Sequence, residues 1–252
     1  MQTKAILTLI ACAALALAPS ALSAAPAASS TDNTTVSADE ALLAMQQAFK
    51  KGDSKRLSAL LPQTRGHPLE VWAAYWELKA RLEQASAAEV QAFFTRFAGS
   101  YQEDRLRADW LQLLGQRRDW AGFAAQYPAY RMGDERELRC YAALLEYRMQ
   151  GSDVAESVRR HWHALRDADD GCTLAAGVLL ADKKLPPLQA WRKARLAIEA
   201  NRPRAARAAV ELVAPQAAAA VSELFNDPAR FLGARIAAGS KQRQELVLLA
   251  LI

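Results

Sequence analysis

One feature dominates the chain: its apolar residues recur with the period of an α-helix almost everywhere. Val90, Phe93, Phe94 and Phe97 fall at i, i+3, i+4 and i+7. Leu106, Trp110, Leu113 and Leu114 repeat the pattern, as do Val154, Val158, Trp162 and Leu165. Each set lines one side of a cylinder turning every 3.6 residues, so each predicts an amphipathic helix. Strand-type alternation is almost absent and glycine is scarce, with 11 in 252 residues. An all-α fold follows.

The breaks between helices are short and alike. "KKGDSKRL" places Gly52 at a left-handed helix exit and Asp53 at the cap of the next helix. "QRRDWAGF" gives Asp119 the same role, and "MQGSDVAES" gives it to Ser152 or Asp153. "ANRPRAAR" ends one helix at Asn201 and begins another at Pro203. Glycine or asparagine tolerates the left-handed exit, while a carboxylate or hydroxyl accepts from the free N–H groups at the entry. Successive breaks are 66, 34 and 50 residues apart. The first two are multiples of a helix hairpin of about 33 residues, the tetratricopeptide length, and the third is irregular. These spacings predict about twelve helices stacked as αα-hairpins in a tetratricopeptide-like superhelix, with a compact bundle as the alternative.

The ends of the chain carry different signals. "MQTKAILTLIACAALALAPSALSAAPAASS" opens with a lysine, runs apolar, and closes on small residues, the layout of a secretory leader over residues 1–24. A membrane anchor is the competing reading; Pro19 and the lack of basic residues after the run argue against it. "LIAC", ending at Cys12, approximates a lipidation box, but the greasy stretch continues past the cysteine. Residues 25–37, "APAASSTDNTTVS", are too polar to bury much and read as a flexible linker. Residues 38–252 are then the superhelical part, exported to the periplasm with no stable membrane span after leader cleavage. At the far end, "LVLLALI" (Leu246 to Ile252) is apolar on all sides, which suits a helix flanked by others. It is too short to span a bilayer. The expectation is an array incomplete at its C-terminus, the front part of a longer protein.

Candidate chemistry is sparse. His161 and His163 are two apart and point about 200° away from each other on a helix, the wrong spacing for a metal pair. "DADD" (Asp167 to Asp170) lacks the glycine and the distal glutamate of a calcium loop and reads as a helix exit with a solvated loop. Trp72, Tyr75 and Trp76 fall at i, i+3 and i+4, a core pattern unless the rings are exposed enough to stack on sugars. No phosphate-cradling loop, nucleophile elbow or acid–base carboxylate pair is present, so no cofactor, metal or nucleic-acid partner is expected. The net charge of +5 favours an anionic partner such as the cell-wall polymer. With the leader removed, Cys140 and Cys172 remain. An even pair in an exported chain reads as a disulfide, with two buried thiols as the alternative.

Four stretches together resemble a known family. "HPLEVWAAYWELKARL" (67–82), "RRDWAGFAAQYP" (117–128), the Cys140/Cys172 pair and "PPLQAWRKARLAIEANR" (186–202) resemble, in order and spacing, the N-terminal region of soluble lytic murein transglycosylases. The resemblance covers residues 38 to 237. It implies a U-shaped superhelix that closes into a ring with a linker domain and carries a lysozyme-like catalytic domain. That domain cleaves the β-1,4 bond between N-acetylmuramic acid and N-acetylglucosamine, leaving a 1,6-anhydro product. One glutamate acts as acid and then base. The implied partners are peptidoglycan glycan strands and other cell-wall enzymes. The family's catalytic glutamate lies in a Glu-Ser pair followed by a Gly-Leu-Met-Gln motif. Glu156-Ser157 matches the dipeptide alone, so no catalytic residue transfers to this chain. The expected role is non-catalytic: to position glycan strands and a catalytic domain. The alternative is a stand-alone periplasmic adaptor that binds a protein partner.

Overall fold

A computed structural model describes residues 37–235 and 239–252, the backbone alone at 234 and 235. The expected leader and, apart from Ser37, the expected linker lie outside the described residues. The described residues form fourteen α-helices and no strand. They are α1 Ala38–Lys51, α2 Ser54–Leu60, α3 Glu70–Ala80, α4 Ala87–Arg96, α5 Tyr101–Gln116, α6 Trp120–Gln126 and α7 Arg136–Gln150. There follow α8 Ala155–Ala164, α9 Asp170–Ala181, α10 Leu188–Glu199, α11 Pro203–Glu211, α12 Ala218–Asn226, α13 Pro228–Arg235 and α14 Lys241–Ala250.

The predicted breaks are where the caps form. Gly52 exits α1 at φ 69°, and Asp53 accepts the Arg56 N–H. Asp119 accepts the Gly122 N–H, and Asn201 takes φ 59° before Pro203 starts α11. At the third break Gly151 is left-handed and Asp153 Oδ1 accepts the Ala155 N–H at 3.2 Å.

The count exceeds the expected twelve because long helices are followed by short ones. Leaving α1 and α5, the chain turns left-handed at Gly52 and Arg118, caps with Asp53 and Asp119, and runs seven residues of helix. Each then enters a 3₁₀ turn at Pro62 or Pro128. Leu57 and Phe123, both fully buried, hold the equivalent inward position. Asp, apolar residue and proline all repeat at the same 66-residue offset.

Helices α1, α3, α5, α7 and α9 form one layer, each touching the next, and the short even-numbered helices pack behind them. Among the described residues, no principal contact joins helices more than four apart in sequence. The core is correspondingly serial. One cluster surrounds Met45 and Leu57, a second Phe94, Leu111 and Phe123, and a third Trp162, Leu179 and Ala206. A compact bundle would share one centre; a superhelix has this string of them. In the third cluster, Ala190, Ala194 and Ala197 of α10 meet Ala205, Ala206 and Ala209 of α11, all essentially buried. Methyl-sized side chains let those two helices approach closely.

Two devices fix the middle of the array. Cys140 of α7 and Cys172 of α9 form a disulfide with Cα atoms 4.9 Å apart. Gly171 beside it admits the close approach, since a Cβ there would lie 2.7 Å from the Glu137 carbonyl oxygen. Further along, Asp104 of α5 accepts the Arg131 and Met132 N–H groups at 2.9 and 2.7 Å, while Glu103 pairs with Arg107 and Arg131. Asp104, Glu103 and Arg107 are nearly solvent-free. Buried charges of this kind specify one arrangement; here they pin the segment leading into α7 against α5.

The last helix departs from the expectation of a segment flanked on all sides. Leu246, Leu249 and Ala250 of α14 are buried, seated on a surface of α10, α12 and α13. Leu248, Leu251 and Ile252 are 47 %, 65 % and 53 % exposed. A ten-residue helix has two sides, and only one meets its neighbours.

Candidate functional site

The adjoining helices α3 and α5 run side by side in the same direction and share one face. Residues at helical spacing supply it. Along α3 and its exit come Trp72, Trp76, Lys79 and Glu83; along α5 come Tyr101, Arg105, Asp109, Gln112 and Gln116. The Trp72 and Tyr101 rings meet at one end, 6.1 Å apart. In the middle, Asp109 accepts the Tyr75 hydroxyl at 3.1 Å and pairs with Lys79 Nζ at 2.5 Å. Burial, then Asp109 beside it, raises the Tyr75 hydroxyl pKa well above the usual phenol range, so it stays a proton donor.

Past this pair the helices part into a polar cleft of about 450 Å³, lined by Lys79, Glu83, Gln84, Asp109, Gln112 and Gln116. Gln112 is steadied by donating to Glu137 Oε2 at 2.9 Å, and Glu137 in turn accepts the Asp170 and Gly171 N–H groups at the start of α9. Carboxamides that both donate and accept, beside a carboxylate that accepts, suit a ligand rich in hydroxyl and amide groups. With Lys79 neutralised by Asp109, the cleft has no excess of positive charge. The chain's basic surplus therefore lies elsewhere, and capture here should not depend on an anionic ligand.

At the aromatic end the rings continue in a row. Tyr101, Trp72, Trp76 and Phe49 follow one another with centroids 6.1, 5.9 and 6.1 Å apart. Between α1 and α3 the row borders a groove of about 370 Å³ formed by Leu42, Leu43, Gln46, Leu69, Trp72 and Trp76. The turn bearing Leu69 is held firmly: His67 Nδ1 accepts the Leu69 N–H at 3.0 Å while Nε2 meets Asp39 Oδ1 at 2.7 Å. Thus Tyr75 takes the core position its spacing suggests, whereas Trp72 and Trp76 are half-buried and reach the surface.

The remaining candidates resolve individually. Glu156 is exposed and bonded to Arg159, whose guanidinium holds the carboxyl below its usual pKa. A general acid needs the reverse. His163 Nε2 donates to the Gln189 carbonyl at 3.0 Å, and His161 is buried near Arg139, Arg160 and Arg136; burial first, then those charges, lowers its pKa. The two rings do not converge. The acidic cluster is a solvated exit only in part: Asp167, just past the end of α8, is largely exposed, while Asp169 and Asp170 belong to the start of α9. Asp167 pairs with Arg202, Asp170 with Arg118 and the Tyr141 hydroxyl, and Asp169 caps α9 by accepting the Cys172 N–H. Asp169 and Asp170 begin a helix whose first turn needs acceptors.

Asp169 has a testable consequence. Burial raises its pKa from 3.8 to about 6, with its Oδ2 buried and unpartnered. A raised acid pKa means the folded state binds the proton more tightly than the unfolded chain. Stability should therefore fall as pH rises from about 4 to 6, by on the order of 2–3 kcal/mol. Asp169→Asn keeps the cap and should lose this component, which denaturant melts across that pH range would detect.

No protein-family model and no curated protein matches the chain. Two solved structures are similar over 84 % of it. One is an inactive mutant of the lytic transglycosylase Slt from Pseudomonas aeruginosa, at 26 % identity and a TM-score of 0.49. The other is the 70-kDa soluble lytic transglycosylase in complex with bulgecin A, at 19 % identity and a TM-score of 0.53. The chain spans about a third, 35 %, of each of those proteins. The second likeness establishes a shared fold: the helical array is built like part of that enzyme.

Proposed function

We propose that this chain is the non-catalytic superhelical part of a periplasmic lytic murein transglycosylase, positioning peptidoglycan strands and the domain that cleaves them to 1,6-anhydromuramyl products. The fold likeness supports the family, together with the four sequence stretches quoted above. The observation carrying the role is the α3/α5 face, which sets aromatic rings beside a cleft of amides and carboxylates. A linear chain of sugars has the same two faces, apolar C–H surfaces and rims of hydroxyl and amide groups.

The test is retention on purified sacculi. The protein should sediment with them at low and moderate salt alike, because the cleft has no unpaired basic residue to be screened. Gln84→Ala/Gln116→Ala, two exposed side chains, should weaken retention about tenfold, the worth of two modest hydrogen bonds, without shifting the melting temperature. No anhydromuropeptide should be released; release by this chain alone would overturn the assignment of roles. The second reading, a protein-binding adaptor, draws on Leu43 and Leu69, which are 63 % and 47 % exposed beside the tryptophans. It predicts no retention on sacculi.

A further inference from the structure

We infer that the groove between α1 and α3 is a binding subsite for the 2-acetamido group of an N-acetylated hexosamine, with the sugar ring laid on Trp72 and Trp76. The inference rests on the proposed glycan-binding role and names what this part of the face recognises.

The lining sets the ligand class. Two half-exposed indoles supply flat apolar surface, and Leu42, Leu43 and Leu69 close an aliphatic corner around them. One amide, Gln46, lies in that wall. Among the described residues, neither indole N–H nor the Gln46 carboxamide has a protein hydrogen-bond partner. Small-molecule sites have this composition: mostly apolar walls and a few polar groups left free for the ligand. At about 370 Å³ the groove lies at the small end of such sites, a size for one or two sugar units rather than a folded partner. No charged side chain is in the lining, so the ligand is neutral there.

An acetamido group meets each requirement at once. Its methyl fills an apolar corner, its amide can exchange hydrogen bonds with a carboxamide or an indole N–H, and its pyranose ring has a C–H face for the tryptophan. A hexose bearing only a hydroxyl at that position would leave the leucine corner empty and place a polar group against it, at a cost in desolvation. The row from Tyr101 to Phe49 supplies further rings for neighbouring units. The geometry is also pre-set, because the Asp39–His67–Leu69 hydrogen bonds fix the wall before any ligand arrives.

The experiment is a calorimetric titration of the whole chain with two β-1,4-linked tetrasaccharides, one of N-acetylglucosamine and one of glucose. The acetylated tetramer should bind at least tenfold more tightly. Trp76→Ala should weaken it tenfold or more, and Gln46→Ala severalfold. Should Trp76→Ala fail to fold, Leu43→Glu serves instead: its side chain is mostly exposed, and a charge there blocks the corner without opening the core. Equal affinity for the two tetramers, no saturable binding of the acetylated one, or indifference to Leu43→Glu would overturn the inference. Retention on sacculi without tetramer binding sinks this subsite alone, while loss of both sinks the glycan-binding role as well.

Discussion

Replacing Trp162 with alanine is expected to destabilise the protein by about 3–5 kcal/mol, the range for truncating a large buried aromatic. Trp162 is 1 % exposed and lies in the third cluster with Val158, Leu179 and both bridged cysteines. Its backbone carbonyl accepts from the ammonium of Lys193, itself 2 % exposed, which also bonds the Leu165 carbonyl. The cavity would therefore open beside a buried cation that already depends on the end of α8 for its partners. Trp162→Phe, which leaves a smaller void, should cost markedly less. Urea melts of the three proteins check the order, and a Trp162→Ala midpoint near wild type would contradict the packing described.

Opening the Cys140–Cys172 bridge should cost nearly as much. Its ends are 32 residues apart, for which the chain-entropy relation gives about 3.7 kcal/mol. For a domain of this size that corresponds to a fall in melting temperature of about 7–15 °C. Cys140→Ala/Cys172→Ala should melt at the reduced protein's lower temperature and be indifferent to reductant. A wild-type melt unchanged by reductant, with free thiols verified by mass, would show that α7 and α9 hold together without the bridge.

Much of this architecture is legible in the sequence because its causes are local. A helix stripe and a cap involve residues within a few positions of each other, so Val158–Trp162, Gly52–Asp53 and Asn201–Pro203 can be read directly. The candidate binding face is harder to see. Asp109, Gln112 and Gln116 form a polar row such as any solvent-facing helix carries, and only the parallel neighbour α3 turns that row into a cleft wall. Trp72 gives no hint that Tyr101 will extend it, since the two are brought together by α3 and α5 lying side by side. The acidic cluster misleads for a related reason: with Gly171 following, "DADD" looks like the end of something, and only the seat beside Glu137 makes Asp169 a beginning. At the far end, seven apolar residues in a row hide which side of α14 is seated, because the answer belongs to α10, α12 and α13.

Among the described residues, the absence of principal contacts between helices more than four apart sets how this array answers to tension. Drawn out from Ser37 and Ile252, it should yield in small steps, one hairpin after another at modest force, since no principal contact among the described residues ties distant helices together. The exception is the stretch between Cys140 and Cys172, whose covalent clasp fixes its length however hard the ends are pulled. The molecule thus has compliant arms on either side of one inextensible link.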